Sequence, residues 1–228
     1  MADGPGRVVV IPTYNRPEVL VRCLEAAVPQ ADMVFVIDNS EDPARYWVRD
    51  QDTWPKVYLA RVPMRPPNLS RLWNLGIGAA ERWARSQGYE RWDVAVLNDD
   101  AIIPPDWFNA VSAAMRDLNC AAASTGLPGS PGQVLIHRTP GTTALYQRMQ
   151  GHAFMLRGEA NLRADKRLSW WCGDNDLDMQ ARERSGTVIL AGWPVEHLHP
   201  DQSTTGELAA QTAVDMQTFV DKWGWRPW

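Results

Sequence analysis

The sequence predicts an α/β fold, a mostly parallel sheet layered with helices. Short apolar runs recur along the chain, stretches with helical spacing fall between them, and three of the runs end in polar clusters. Strand, helix, strand, strand, helix, strand, helix is the order expected of a sheet covered by helices. RVVVIP (7–12), closed by a proline, reads as a buried parallel strand. Pro17 then suits a first helical turn, and Leu20, Leu24 and Val28 recur one turn apart. MVFVID (33–38) is a second strand, with turn chemistry in NSEDP after it, and KVYLARV (56–62) is a third. Asn68 is placed to cap a helix whose stripe is Leu69, Leu72, Trp73, Gly76, Ala80 and Trp83. VAVL (94–97) is the fourth strand. A helix with Trp107, Val111, Met115 and Leu118 on one face follows Pro104-Pro105.

The second half is less regular. CAAAST (120–125) and TVILAGWP (187–194) read as strands, LPGSPGQ (127–133) as loop, and GTTALYQRMQGHAFMLRG (141–158) alternates like sheet. DLDMQARERSG reads as a short helix stopped by Gly186, and HLHPDQSTTG as a polar loop. No internal repeat or linker interrupts the chain, so one domain is expected: about 8–118 as one binding half, about 119–205 as another, and 206–228 as a Trp-rich tail.

Composition bounds the function. The chain has 228 residues, 45% apolar and 22% charged, enough for a substantial core and unlike a disordered chain. Lys plus Arg number 23 against 27 Asp plus Glu, a formal charge of −4, so no overall basic field favours nucleic acid or anionic lipid. Arg61, Arg65, Arg71, Arg157, Arg163, Lys166 and Arg167 remain a candidate local patch. The opening residues lack the pattern of a secretory signal, and no apolar run approaches the roughly 20 residues of a membrane span. Cys23, Cys120 and Cys172, scattered and odd in number, fit reduced thiols. A cytoplasmic location is the expectation.

The polar clusters are Thr13-Tyr14-Asn15, Asp38-Asn39-Ser40 and Asn98-Asp99-Asp100. In open α/β sheets ligands bind at the carboxyl ends of strands, and parallel strands would gather all three there. Two adjacent acids at a strand end repel each other and are costly to bury. A solvated turn, a structural salt bridge and a cation site each account for such a pair.

In order, IPTYNRPEVLVRCLEAA, VIDNSEDP, NLSRLWNLGIGAA, LNDDAIIPPDWF, GDNDLDMQAR and VEHLHPDQST resemble the successive motifs of family 2-type inverting glycosyltransferases with a GT-A fold, from about Val8 to Thr205. The resemblance implies a GT-A-like α/β/α sandwich and transfer from a nucleoside-diphosphate sugar, UDP favoured. The leaving diphosphate would be neutralised by Mn²⁺ or Mg²⁺. By that resemblance Asp100 holds the metal, Asp99 and Asn98 lie near the donor sugar or ribose, and Asp38 accepts from the pyrimidine ring. Pro12, Thr13 and Asn15 form the loop beside the base, and Asn74 faces the nucleotide. Asp174, at a helix start, is the implied general base, with Gly173 before it leaving room for close approach and a mere helix cap as the alternative. Asp176 and Asp178 orient or cap, and Asp176 is counted with Trp170 and Trp171 on the acceptor side.

The departures are Asn98 where a fuller motif carries aspartate, Ser70 where glycine is common, and Gly173 in place of an acid. The membrane helices and Gln-x-x-Arg-Trp signature of processive synthases are absent, favouring transfer of single sugars. Of His197 and His199, which point the same way in an extended segment, His199 is preferred as an added metal ligand, with a hydrogen-bonded loop histidine as the alternative. His137 and His152 read as structural. Among the 12 tryptophans, Trp73, Trp83 and Trp107 are expected in the core, while Trp223, Trp225 and Trp228 dock on the domain or cover an acceptor groove. The acceptor stays open: glycan, protein, lipid-linked sugar, small molecule or modified nucleic-acid base. A nucleotidyltransferase and a degenerate nucleotide- or sugar-binding module are the other readings.

Overall fold

In the computed structural model, which describes residues 4–41, 54–127, 132–199 and 207–228, ten strands and five helices follow one another. They are β1 (Gly6–Thr13), α1 (Pro17–Ala27), β2 (Met33–Asp38), β3 (Val57–Arg61), α2 (Leu69–Ser86), β4 (Trp92–Leu97), β5 (Ala101–Ile102) and α3 (Trp107–Asp117). The second half adds β6 (Ala122–Thr125), β7 (Leu135–His137), β8 (Ala153–Arg157), α4 (Gly173–Arg184), β9 (Thr187–Leu190), β10 (Glu196–His197) and α5 (Glu207–Trp223).

Eight strands form one sheet in the order β3-β2-β1-β4-β8-β6-β9-β7. β3, β2, β1 and β4 run parallel, β8 is antiparallel to both its neighbours, β9 is parallel to β6, and β7 closes the edge antiparallel to β9. β5 and β10 pair separately. The mostly parallel α/β sheet expected from the sequence is therefore present. The strand order reverses between β1 and β4, the place where an open sheet leaves a crevice at its carboxyl edge.

Apolar alternation explains the layering. Along β1, Val9 and Ile11 join one core with Leu20, Leu24, Trp107 and Phe108, while Val8 and Val10 join the other with Leu72, Trp73 and Ile77. Fully burying a large apolar side chain such as Phe108 contributes about 1.5–3 kcal/mol. Asn68 caps α2 as expected, its Oδ1 accepting from Arg71 N at 2.8 Å. Gly186, with φ 112°, ends α4 in a backbone conformation that glycine adopts without strain. Trp73 and Trp107 are buried, and Trp83 packs half-buried on Tyr89. The three cysteines are buried and free. Among the described residues no helix is long and apolar enough to cross a membrane.

One sequence expectation changes and two elements are added. Of 141–158 only Ala153–Arg157 is strand; residues before it run as loop with a single turn at Leu145–Gln147, their polar groups taken by Gln150 and by Pro227 O. β7, three residues long, is too short to show alternation. The tail is mostly helix, α5, whose Met216, Phe219 and Trp223 recur at helical spacing. Residues 42–43 of NSEDP, 128–131 of the LPGSPGQ loop, 200–206 of HLHPDQSTTG and Asp201–Thr204 of DQST lie outside the described residues.

Candidate functional site

The three polar clusters do gather at one edge. Thr13 is in register with Asp38 across β1 and β2, and Thr13 Oγ1 donates to Asp99 Oδ2 at 2.7 Å, joining the β1 end to the turn after β4. Asn15, in a left-handed conformation, donates its N–H to Ser40 Oγ at 2.8 Å. Pro12 is buried beside them, and Asn98 N donates to His152 O at 2.8 Å.

The adjacent acids are buried together. Arg16 Nη2 lies 2.8 Å from Asp99 Oδ1, and Arg16 Nη1 lies 3.1 Å from Asp100 Oδ2. One guanidinium thus bridges two carboxylates, easing the repulsion that makes such a pair costly. Sequence reasoning passed over Arg16, although it stands in the same NRP turn as Asn15. Burial pushes the Asp99 carboxyl up to about 6, against the opposing pull of Arg16 and the Thr13 hydroxyl. Burial acts on Asp100 too, but His197 and Arg16 outweigh it and hold that carboxyl below its ordinary value.

A second acid on β4 gives the contrast. Asp93, at the amino end, is fully engaged by Ser112 Oγ (2.5 Å) and by Arg116 Nε and Nη2 (2.9 and 2.8 Å), a structural salt bridge. Among the described residues Asp100 Oδ1 is buried without a hydrogen-bond partner; His197 Nε2 stands 3.2 Å away as an ion-pair contact. Asp38 behaves like Asp100. Its Oδ1 accepts from Ser40 N at 2.8 Å, whereas Oδ2 is buried without a partner among the described residues. Buried acceptors left open are exceptions that call for a ligand or a stated cost.

The histidines are corrected by β10. Its pairing with β5 sets His197 opposite Ala101, beside Asp100. The exposed residue is His199, so the imidazole against the acids is that of His197. His152, read as structural, stacks on His197 with centroids 4.6 Å apart and an interplanar angle of 9°. Burial, with His197 alongside, lowers His152 to about 4, so it is neutral at pH 7. Among the described residues no three His, Cys, Asp or Glu side chains converge as a ready cage. Asp100 Oδ1, which has His197 Nε2 nearby but no hydrogen-bond partner among the described residues, still fits a hard divalent cation, which takes one or two protein oxygens and completes its shell with phosphate and water.

Asp174 comes from the other half. It sits in the first turn of α4, after Cys172 as N-cap, and no side chain caps this helix. The residue is partly exposed, but its carboxyl group is desolvated; burial raises its pKa, and Arg148 opposes the rise. A Cβ on Gly151 would stand 2.7 Å from Asp174 Oδ2, so the carboxylate lies directly against that glycine, one residue before His152. The room left by Gly173 is used by α2, since a Cβ there would meet Ser70 Oγ at 2.7 Å and Trp73 at 2.9 Å. Trp170 and Trp171 are half-buried just before Asp174, and Trp171 packs edge-on to Trp228.

Other expected site residues turn elsewhere. Asn74 spends both ends of its amide on Ala164, Oδ1 accepting from its N at 2.9 Å and Nδ2 donating to its O at 2.8 Å, so it holds the 162–166 segment. Asp176 is fully buried and saturated by Lys222 Nζ, Trp223 Nε1, Gln180 Nε2 and Asp165 N, so it ties α5 to α4 and has no oxygen for an acceptor. Asp178 pairs with buried Arg182. Three members of the candidate basic patch are held in local pairs: Arg65 with Glu41, Arg163 with Glu81 and Arg167 with Asp165.

Sheet order, crevice and clustered acids define a GT-A-like class of α/β protein. The match to Glycosyl transferase family 2 covers residues 8–153, well over half the chain, and the protein belongs to that family of transferases. That membership removes the nucleotidyltransferase alternative. No curated protein is a significant sequence match. Solved structures of TarS from S. aureus share the fold. The 1–349 fragment superposes with a TM-score of 0.61 at 12% identity, over 96% of this chain and 72% of that one. Its complex with UDP-GlcNAc gives 0.59 at 13% identity, over 97% and 73%, and its complex with UDP 0.60 at 13% identity, over 96% and 72%. Against TarS beyond that fragment the chain spans 43% of the length.

Proposed function

We propose that the protein transfers a single sugar from a nucleoside-diphosphate sugar, UDP-linked by preference, to an acceptor hydroxyl with inversion. The observation that carries the reading is a pair of buried carboxylate oxygens without hydrogen-bond partners among the described residues, Asp38 Oδ2 and Asp100 Oδ1, the second with His197 Nε2 alongside at 3.2 Å, on the carboxyl edge beside the crevice between β1 and β4. Asp38 Oδ2 offers an acceptor to the imide N–H of a uracil ring. Asp100, held ionised by Arg16 and His197, offers an oxygen to Mn²⁺ or Mg²⁺. Bound there, the cation would neutralise charge developing on the leaving diphosphate. The UDP and UDP-GlcNAc complexes of TarS, a protein of the same fold, support uridine as the nucleotide.

Asp174 takes the acceptor proton. Inverting displacement needs a carboxylate on the sugar face opposite the leaving group, and Asp174 is contributed by the other half of the chain. Arg148 favours its ionised form and burial makes it a stronger base than a solvated aspartate. The indoles of Trp170 and Trp171 offer apolar faces to an acceptor ring. Calorimetric titration of UDP, with and without Mn²⁺, tests the donor site in wild type and Asp100→Ala. Metal-dependent binding is expected in the first and its loss in the second. Equal binding by both proteins would overturn the assignment of Asp100.

A further inference from the structure

The segment from Lys166 to Trp171, which leads into Asp174, has no regular structure, yet its amides from Arg167 on and three of its carbonyls are hydrogen-bonded. Its carbonyls face α2: Lys166 O accepts from Asn68 Nδ2 at 2.9 Å, Leu168 O from Ser70 Oγ at 2.5 Å, and Ser169 O from Leu69 N at 2.6 Å. Its amides face α5. Asp215 Oδ1 accepts from Ser169 N at 3.2 Å, and Oδ2 from both Trp170 N and Trp171 N at 2.7 Å. Asp215 is fully buried and its Oδ1 also accepts from Gln211 Nε2 at 2.8 Å.

Three successive amides aimed at one carboxylate form a nest, a backbone curvature that an anion holds and that neither strand nor helix supplies. Charge-assisted bonds of this kind are shorter and stronger than neutral ones. The curve ends at Cys172, in a left-handed conformation with φ 62°, and α4 starts at the next residue with Asp174 in its first turn. The apolar docking of α5 is a separate matter: Phe219 and Trp223 pack on Leu168, Cys172 and Met179. A helix needed only as a lid over apolar surface has no use for a buried acid that accepts five hydrogen bonds.

We infer that Asp215 is a positioning residue for transfer: by gathering the amides of Ser169, Trp170 and Trp171 it fixes the two indoles and the reach of Asp174 toward the acceptor. This rests on the reading of Asp174 as the base. The acceptor side of the site is thereby built partly by the C-terminal helix, outside the residues 8–153 that match the family.

The full-length chain is compared as wild type, Asp215→Asn, Gln211→Met and Phe219→Leu. Measurements are UDP binding with Mn²⁺, hydrolysis of UDP-GlcNAc with water as acceptor, amide hydrogen exchange and thermal unfolding. In Asp215→Asn, UDP affinity stays within about threefold while exchange at the three amides rises about tenfold. Hydrolysis falls about 10–10²-fold, the scale of a displacement of up to an ångström at a reacting group. Gln211→Met, which only loosens Asp215, shifts both in the same direction by less. Phe219→Leu lowers thermal stability but reduces hydrolysis by no more than about threefold. Unchanged hydrolysis in Asp215→Asn despite faster exchange would overturn the inference, as would a loss that Phe219→Leu matches at equal stability. Failure of the wild type to bind UDP would instead overturn the donor assignment.

Discussion

Gly151→Ala separates the position of Asp174 from the stability of the fold. Gly151 does not need a positive φ, so alanine is compatible with its backbone. The added Cβ, however, would stand 2.7 Å from Asp174 Oδ2 and 2.9 Å from its Cγ, against ordinary contact beginning at 3.4 Å. The carboxylate must retreat by about 0.7 Å, which a short side chain achieves by turning about its own χ angles at a cost of roughly 0.5–1.5 kcal/mol. Stability therefore changes little. Transfer is different, because a misplacement near an ångström costs up to about 10²-fold. Turnover of the UDP-sugar donor is expected to fall about 10–10²-fold with UDP affinity intact. A double-mutant cycle sharpens the test. Asp174→Asn keeps the shape and removes the base, with an expected loss of about 10²–10⁴-fold. If Gly151→Ala acts only through that carboxylate, adding it to Asp174→Asn brings no further loss. Full additivity, or wild-type turnover in Gly151→Ala, would refute the placement of the base.

Asp38→Asn keeps an acceptor for Ser40 N while turning Oδ2 into a donor, so UDP affinity should drop by about 1–3 kcal/mol, measured calorimetrically. Unaltered affinity would mean that the nucleotide ring lies elsewhere. Arg148 favours the ionised form of Asp174, so Arg148→Gln should raise the base's pKa further. The acid limb of the pH–rate profile then moves to higher pH, and activity is lost sooner as pH falls; a limb that stays in place would separate Arg148 from the base. Lys222→Met leaves buried Asp176 short of one donor while Trp223, Gln180 and Asp165 remain bound to it. Thermal unfolding should register a loss of about 1–3 kcal/mol.

Much of the framework is local chemistry and was open to reading from the chain. Apolar runs such as RVVVIP and MVFVID form strands because their only stable environment is a covered sheet, and Asn68 and Gly186 bound helices through groups that act within a turn or two. The acids at strand ends were visible for the same reason: a carboxylate pair after VAVL violates local preference and marks a site. What the sequence could not settle depends on contacts between distant residues. Arg16 meets Asp99 across 83 positions of chain only because β1 and β4 are neighbours. His197 rather than His199 faces Asp100 because the β5–β10 pairing ends at His197, opposite Ala101, and leaves His199 beyond the strand. Asp174, Asp176 and Asp215 are chemically equivalent on paper. Tertiary packing alone sets one against Gly151, saturates the second with Lys222 and Trp223, and buries the third under three amides, because the role of a carboxylate depends on which donors reach it once the chain has closed around it.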